Sequence, residues 1–345
     1  MVHDLFILCS LLSGLSKKTM EQALDSEIAV YKSKVFADST KLSYSVHTRS
    51  YLAFCEVMGY CAIPASSATL CRYAAMLARS HKISSIKQYL NIIRILHLEW
   101  DLPNPLLNDF HLSSVLKGIK RHIGDNVSRK SPITPGILLQ ILNQLNLSDV
   151  RDCHIWAACL VMFFTMLRRS NMFPASKTKF NPNHQLCRDD FKFTAKGIMV
   201  TIRWSKTIQF RDRIHTIPLP RIKDSPLCPS QAVFLAFSKS SDVSESAPAF
   251  SWIHNTTHHV LTASAFQTCL SNSLTTLGLQ KASFSCHSFR RGGASWAFQN
   301  GVPIETIRQI GDWKSNAYMK YIYDSEDSLI KAVNLMSNTL PTFTR

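Results

Sequence analysis

The sequence predicts a two-domain protein: an all-α N-terminal domain, followed by a mixed α+β domain that is mostly helical and carries a small antiparallel sheet. Three observations predict this architecture. The chain has 345 residues, which is long for one domain and suits two. Apolar residues recur at helical spacing through the first third, and alternating apolar residues indicate strands further along. Between these regions, GDNVSRKSPITPG interrupts the periodicity with glycine, serine and proline.

Amphipathic segments make the N-terminal domain helical. SYSVHTRSYLAFCEVMGY places Tyr44, Tyr51, Leu52 and Cys55 at helical spacing and ends near Gly59. SSATLCRYAAMLAR and SSIKQYLNIIRILHLEW follow, each opened by serines that can cap a helix. SSVLKGIKRHI closes the series. The predicted parts are an N-terminal extension, a helical domain, a linker and a second domain, at residues 1–18, 19–124, 125–134 and 135–345.

The second domain combines helices with a hairpin. ILLQILNQL and DCHIWAACLVMFFTML are predicted helices, and the latter is apolar on nearly every face, which indicates burial. GIMVTIRW places Ile198, Val200 and Ile202 on one face of a strand, and RIHTIPLP alternates similarly. SKTIQFRD is a polar hairpin connection between them. After the serine-rich loop SKSSDVSESAP, the sequence predicts helices through residue 336.

A formal net charge of +16 indicates a polyanionic partner. Nucleic acid is the leading candidate, and an acidic membrane surface is the alternative. No apolar run approaches the ~18 residues that a bilayer span needs. Each basic residue alone is explained by a solvated helix face, but together they predict a surface that contacts DNA phosphates. The basic residues assigned to this surface are Lys87, Arg94, Lys117, Lys120, Arg121, Arg129 and Lys130.

Cysteine and histidine usage argues against a metal site. The 10 cysteines are scattered singly, which predicts free thiols in a reducing compartment. HNTTHH offers His254, His258 and His259 without a nearby cysteine or acidic partner, so a surface loop is favoured there. The start of the chain has an apolar stretch of secretory length, but Asp4 precedes it and no small-residue cleavage site follows. We therefore predict a helix or an element remnant there and no signal, and no cofactor or metal.

Reactive residue types follow one another along the second domain. Arg168 and Arg169 come directly after the apolar helix, where a charge is costly unless an anion meets it. Lys206 lies in the hairpin connection, and His287 and Arg290 form a His-x-x-Arg pair. A single pair of that kind is weak evidence. The order of arginine, hairpin lysine, His-x-x-Arg, tryptophan and tyrosine is the informative feature.

This order resembles the active-site series of the tyrosine recombinases, the phage-integrase superfamily, over residues 35–336. TMLRRSNM, RWSKTIQF, HSFRRGGASW and IGDWKSNAYMKYI resemble the family's successive active-site segments. LRRSN, WSKTIQ and HSFRRGGA are most similar to recombinases of crypton-type DNA transposons, to which enzymes of DIRS-like retrotransposons are related. The resemblance implies a core-binding (SAM-like) helical domain and a catalytic tyrosine-recombinase domain.

The resemblance also implies a catalytic set, and the chemistry of phosphodiester attack explains its residue types. Two arginine forks can bind the nonbridging oxygens, a histidine can accept the phenol proton, and a lysine can protonate the leaving 5′-oxygen. A tryptophan indole can donate to the phosphate. A 3′-phosphotyrosyl link conserves the bond energy, so neither metal nor ATP is required. The implied catalytic residues are Arg168, Lys206, His287, Arg290, Trp313 and Tyr321.

WKSNAYMKYIY contains three tyrosines, of which one is assigned as the nucleophile. In the family, the nucleophile lies about nine positions after the histidine or tryptophan, and an aliphatic residue commonly follows it. Tyr321 is eight positions after Trp313 and precedes Ile322, so it is the assigned nucleophile. Tyr318 is predicted to pack, and Tyr323 is the reserve candidate.

The sequence departs from the phage pattern at two further positions. Asn171 stands where phage members usually have an acidic residue, and its amide carbonyl is expected to orient a guanidinium. Arg291 replaces a common histidine, and both Arg291 and Arg169 are predicted to contact DNA. No reacting group is missing, so the resemblance implies a site-specific DNA recombinase. The alternatives are an element-derived DNA-binding protein without strand exchange and a type IB topoisomerase-like enzyme.

The implied partner is duplex DNA, with a homodimer on one site and a homotetramer in synapsis, and no membrane. EDSLIKAVNLM predicts a short C-terminal amphipathic helix that either docks on a neighbouring subunit or folds back on its own domain. In a eukaryotic host, the resemblance implies the nucleus.

Overall fold

A computed structural model describes residues 17–125, 129–208, 213–322 and 330. The chain divides into two compact units, Met1–Val127 and Ser128–Arg345. The described part of the first unit is all-helical, and that of the second is mostly helical with small antiparallel sheets, which confirms the predicted fold class. Three predicted parts lie outside the described residues: most of the N-terminal extension, Tyr323, and the C-terminal docking helix apart from residue 330.

The first unit is a set of helices whose ends follow local chemistry. Its helices are α1 Lys17–Ser33, α2 Asp38–Met58, α3 Ser67–Ala78, α4 Ile83–Glu99 and α5 Phe110–Ile123. The side chains of Ser66 and Asp109 accept hydrogen bonds from first-turn amides of α3 and α5. Helix α2 ends at Gly59, as predicted, where a φ of 66° places the backbone in the left-handed region. Tyr51, Phe54 and Tyr73 pack edge to face or tilted in the core of this unit.

The second unit is built around one buried helix. Its helices are α6 Pro135–Leu142, α7 Val150–Thr165, α8 Arg169–Met172, α9 Pro229–Ser238, α10 Ala263–Thr276, α11 Cys286–Gln299 and α12 Ile304–Ile310. Every residue of α7 from Cys153 to Phe163 is buried, as its apolar sequence predicts. The close approach of α11 needs glycine, because a Cβ on Gly293 would lie 2.0 Å from the Phe163 carbonyl oxygen.

Two antiparallel sheets complete the described part of the second unit. The strands are β1 Phe191–Thr194, β2 Gly197–Ile202, β3 His215–Pro220, β4 Ser251–His254 and β5 Thr257–Val260. The order β1-β2-β3 makes β2 central, and its Ile198, Val200 and Ile202 are buried, as predicted. Strands β4 and β5 form a hairpin whose turn residues Asn255 and Thr256 have φ values of 47° and 62°. HNTTHH therefore lies mostly at the surface, as predicted, but it consists of strand ends joined by a two-residue turn and not of a loop. Both turn residues adopt the left-handed conformation that this turn requires.

The second half of the predicted linker packs as part of the second unit. Ile133 is fully buried, and its amide donates to the Ser288 carbonyl at 3.0 Å. Ser131 donates in the same way to the Ser283 carbonyl at 2.7 Å. A Cβ on Gly292 would lie 1.8 Å from the Ile133 carbonyl oxygen, so the glycine permits this approach. The serine and proline content suggested a linker, but the buried isoleucine anchors the segment.

Two further properties concern the described ranges as a whole. Nine cysteines there are free thiols. Within the same ranges, no helix has both the length and the apolar character that crossing a bilayer requires.

Candidate active site

The first residues of the site lie directly after the end of the buried helix α7. At its end, Met166 adopts φ 51° and ψ 27°, and its carbonyl accepts a hydrogen bond from the Arg290 guanidinium. Arg168 follows as the half-buried N-cap residue of α8. Its charge lowers the pKa values of both His287 and Arg290, which shows that the three side chains share one electrostatic environment.

Arg290 is the most deeply placed charge of the site. It is 1% exposed, and it donates to the Gly311 carbonyl at 2.6 Å as well as to Met166. Its guanidinium carbon lies 3.9 Å from the centroid of the Trp313 ring and 5.2 Å from that of Tyr321. Burial, with repulsion from Arg168, lowers the pKa of Arg290 to about 9, so the side chain remains charged at neutral pH.

The two arginines of the site differ from a neighbouring arginine in their ion pairs. Across the described residues, no carboxylate forms an ion pair with Arg168 or Arg290. By contrast, Arg203 of the same unit is paired with both Asp189 and Asp190. Because Arg290 is buried without an ion pair among these residues and is repelled by Arg168, the site favours binding of an anion.

Tyr321 and His287 are in direct contact. The Tyr321 hydroxyl lies 3.3 Å from His287 Nε2. His287 is in the first turn of α11, where its amide donates to the capping side chain of Ser285. Much of the imidazole surface remains accessible, yet burial by neighbouring atoms lowers its pKa, and the charges of Arg290 and Arg168 lower it further. The ring is therefore neutral at pH 7 and can accept a proton.

Trp313 forms the apolar wall of the site. It is 7% exposed, and its ring lies so close to Gly311 that a Cβ there would be 1.8 Å from a ring carbon. Its indole nitrogen is buried and has no hydrogen-bond partner among the residues described, so this donor is unsatisfied. Tyr318 is 5% exposed in the same apolar cluster, in agreement with its predicted packing role.

The tyrosine segment is a 3₁₀ helix, Asn316–Lys320, and Tyr321 is its C-cap residue. The sequence predicts a helix through this segment, in which Tyr318 and Tyr321 are three residues apart. In a 3₁₀ helix residues at this spacing are also aligned, since one turn contains three residues. Both tyrosines consequently reach the cluster around Trp313.

Lys206 lies in the connection between β2 and β3, with its side chain exposed. The residues on either side of it, Ser205 and Thr207, donate their hydroxyls to the carboxylate of Asp312. Arg213, where the described part of the connection resumes, forms an ion pair with the same carboxylate. The lysine segment is thus tied to the residue that directly precedes Trp313.

Known proteins resemble the chain along most of its length. No protein-family model matches it. The integrase/recombinase XerD homolog of Selenomonas ruminantium is 24% identical over 329 residues, which cover 92% of this chain and 90% of that protein. Among solved structures, the Tn1549 transposon integrase in complex with transposon right end DNA has a TM-score of 0.60 at 14% identity, covering 90% of this chain and 98% of the other.

A λ integrase dimer bound to a COC′ core site has a TM-score of 0.55 at 14% identity, covering 89% of this chain and 96% of the other. The chain has the tyrosine recombinase fold. Within this fold, the structure brings Tyr321, His287, Arg290 and Trp313 into one contact set, with Arg168 as an electrostatic neighbour. Lys206 is linked to that set through Asp312.

Two residues behave differently from the tyrosine recombinase pattern that the sequence suggested. The Asn171 amide nitrogen donates to the Trp204 carbonyl at 2.6 Å, and its buried carbonyl oxygen has no partner among the described residues. Asn171 therefore supports the chain ahead of Lys206 instead of orienting a guanidinium. Arg291 is 8% exposed and donates to the Lys130 carbonyl at 2.9 Å, so it fastens the segment before α6 inside the unit.

The other predicted phosphate contacts lie at the surface of their units. Arg94 is half-buried and donates to Asn91 at 3.0 Å. Lys120 pairs with Asp125 at 2.9 Å, and Lys87 also lowers the pKa of Asp125, so α4 and α5 present these lysines together. The exposed members of the predicted set are Lys87, Lys117, Lys120, Arg121, Arg129, Lys130 and Arg169.

Asp312 is the residue of the site that sequence reasoning missed. Burial alone would raise the pKa of its carboxyl, but hydrogen bonds from Ser205 and Thr207 and the charge of Arg213 outweigh this and lower the pKa. The only signal in the sequence was an acidic residue next to Trp313 in a strongly basic chain. Its partners are about a hundred positions away, and no local pattern identifies them.

Proposed function

We propose that the protein is a site-specific DNA recombinase of a mobile element, which cleaves and rejoins DNA through a 3′-phosphotyrosyl intermediate. The observation that carries this proposal is the 3.3 Å contact between the Tyr321 hydroxyl and His287 Nε2, beside the buried Arg290. A phenol has a pKa near ~10 and needs a base as it attacks, and a neutral imidazole within hydrogen-bond distance is suited to that task.

The cleavage step assigns one task to each residue. The Tyr321 oxygen attacks the phosphorus and transfers its proton to His287, while the bond to the 5′-oxygen breaks. Lys206 gives a proton to that oxygen, and Arg168 and Arg290 bind the nonbridging oxygens, on which charge develops. The indole of Trp313 donates to the same phosphate. Rejoining reverses these transfers with a 5′-hydroxyl from a second strand.

The biological context is also part of the proposal. The phrasing of LRRSN, WSKTIQ and HSFRRGGA favours an element of the crypton type. One structural neighbour is described as a transposon integrase bound to DNA, and another as an integrase dimer on a core site. These neighbours support duplex DNA as the substrate, and the second supports a dimer on each site. A tetramer in synapsis is part of the proposal through the family resemblance alone. In a eukaryotic host, this function requires entry into the nucleus.

A nicked suicide duplex from the element's own termini tests the proposal, because loss of the short fragment traps a covalent protein–DNA adduct. The wild type should form the adduct in EDTA, since the arginines supply the positive charge. Tyr321→Phe should form none, and Tyr318→Phe should still form it. Peptide mapping of the trapped species identifies the attached residue. Absence of an adduct on DNA that the protein binds would favour a DNA-binding protein without strand exchange.

A further inference from the structure

The carboxylate of Asp312 joins two segments that the cleavage step needs at the same time. One segment carries Lys206 in the connection between β2 and β3, and the other continues from Asp312 directly into Trp313. Asp312 is 6% exposed, so its carboxylate is removed from water and depends on protein partners. Ser205, Thr207 and Arg213 supply three of them.

The three contacts keep the carboxylate ionised, and its two oxygens have different partners. Oδ2 accepts the hydroxyls of Ser205 and Thr207, and Oδ1 accepts the guanidinium of Arg213. The pKa of the carboxyl is lowered, so it stays charged throughout the neutral range. Hydrogen bonds to an ionised acceptor are stronger than neutral ones, which makes this an effective anchor for a connecting segment.

The position of the anchor relative to Lys206 is specific. Lys206 is the single residue between the two hydroxyl donors, and Ser205 is itself 2% exposed. The backbone on both sides of the lysine is therefore fixed, while the lysine side chain is exposed. Asp312 has a φ of 53°, and the amide of Trp313 donates to the Arg308 carbonyl at 3.0 Å, so the other end of the link is fixed by α12.

We infer that Asp312 is a positioning residue that holds Lys206 at the leaving 5′-oxygen, an inference that rests on the proposed function. It acts through Ser205 and Thr207, and it does not touch the substrate. Because proton delivery depends on sub-ångström placement, loosening the anchor should slow the departure of the 5′-oxygen more than any other step.

Substrates with different leaving groups test this assignment. In one suicide duplex, sulfur replaces the scissile 5′-oxygen. The leaving group is then a thiolate, which needs no proton donor at neutral pH. Asp312→Asn keeps the side-chain volume but replaces one carboxylate oxygen by an amide group. We expect it to cleave the oxygen substrate at least about tenfold more slowly than the wild type. It should cleave the sulfur substrate within about twofold of the wild-type rate, as should Lys206→Ala.

Two further variants keep the test decisive. Thr207→Val removes one anchoring hydroxyl and leaves the carboxylate in place. We expect it to show the same selective defect, so it tests the inference even where Asp312→Asn fails to fold. Asp190→Asn alters another buried aspartate of the second unit, which pairs with Arg203. The ratio of its cleavage rates on the oxygen and sulfur substrates should equal that of the wild type, even if the substitution changes stability.

The outcomes separate this inference from the proposed function. If Asp312→Asn and Thr207→Val slow the cleavage of both substrates equally, the carboxylate organises the whole site and not Lys206 in particular. If neither cleavage rate changes, the carboxylate does not position any reacting group. Either result overturns the inference while the adduct itself stands. If the wild type forms no adduct with either substrate, the proposed function fails first.

Discussion

At the residue scale, the site contains two arginines whose charge the described residues leave without an ion pair. Arg290 gives two donors to backbone carbonyls and stacks on Trp313, yet its Nε is buried without a hydrogen-bond partner among those residues. Carbonyl dipoles hold a guanidinium in place without cancelling its charge. The side chain is thereby fixed before any ligand arrives, which is the condition for effective transition-state stabilisation.

Replacing Arg290 should remove this stabilisation. We expect Arg290→Ala to lose at least ~3 kcal/mol in the cleavage step, by analogy with the loss of a preorganised oxyanion donor. Arg290→Lys should restore little of it, because an ammonium cannot form the planar fork. Single-turnover cleavage of the suicide duplex measures both variants, and thermal unfolding checks that they fold. Activity of Arg290→Lys close to wild type would contradict a bidentate role.

The lowered pKa of His287 has a consequence for the pH profile. A base must be deprotonated to accept the phenol proton, so cleavage should fall only as pH drops below the pKa of His287. Because that pKa lies below the ordinary 6.5, the acid limb of kcat/KM should have its midpoint below pH 6.5. Arg169→Gln should shift the midpoint upward, since the Arg169 charge is one of the causes of the lowering. An acid limb centred above pH 6.5 would exclude His287 as the base in the free enzyme.

At the element scale, α7 and α11 define the site because their backbones approach closely. Gly293 faces the carbonyl of Phe163, and Gly292 faces that of Ile133. Arg290 is on the same helix as both glycines, so their close approach also determines where its guanidinium meets Met166. The RRGG run therefore combines an arginine of the candidate site with the two glycines that permit close packing.

A methyl group at Gly293 tests this packing. Gly293→Ala should destabilise the second unit by about 1–3 kcal/mol, because the added carbon would lie 2.0 Å from the Phe163 carbonyl oxygen. Gly136→Ala in α6 is the matched control, since its added carbon would meet only Thr134 Oγ1 at 3.8 Å. Gly136→Ala should be neutral or stabilising, because alanine is the better helix former. Chemical denaturation of the two variants makes the comparison, and equal stabilities would refute a tight α7–α11 contact.

The elements show which parts of the molecule local sequence could reveal. Helix α7 and the central strand β2 were predictable because the pattern of apolar residues within each segment indicates which of its faces are buried. The contact set of Tyr321, His287, Arg290 and Trp313 was anticipated from the order of residue types in the sequence, while the catalytic roles of these residues stay predictions. The anchor at Asp312 was not predictable, since it depends on a turn that brings Ser205 and Thr207 to a distant carboxylate. The burial of Ile133 was missed for a similar reason, because polar neighbours surround it in the sequence.

At the scale of the whole molecule, the charge of +16 is shared by two units with separate cores. On the first unit, α4 and α5 present lysines on one face, and Asp125 neutralises only part of their charge. On the second unit, the reactive arginines add to exposed Arg129, Lys130 and Arg169. Both units therefore carry charge that a DNA backbone can neutralise.

DNA affinity should consequently depend steeply on salt. Each phosphate contact releases condensed counterions, so the logarithm of the association constant should fall linearly with the logarithm of salt concentration, by ~0.9 per contact. Replacing Lys117, Lys120 and Arg121 together by Gln should make this slope shallower. Lys192→Gln and Lys196→Gln, in and beside β1, serve as controls for a general loss of charge. A wild-type affinity that is flat between low and moderate salt would contradict phosphate contacts by these helices.

The unpaired charge of Arg290 also links the stability of the protein to its ligand. We expect a DNA phosphate in the site to act as a counterion for Arg290, which is buried and has no ion pair among the described residues. Because DNA then binds the folded state more tightly than the unfolded state, the unfolding temperature of this unit should rise with DNA concentration by mass action. The rise should be smaller in Arg290→Met, even where affinity through the first unit is retained. On the proposed function, bound DNA therefore contributes to the stability of the fold, and the free protein is the less stable of the two states.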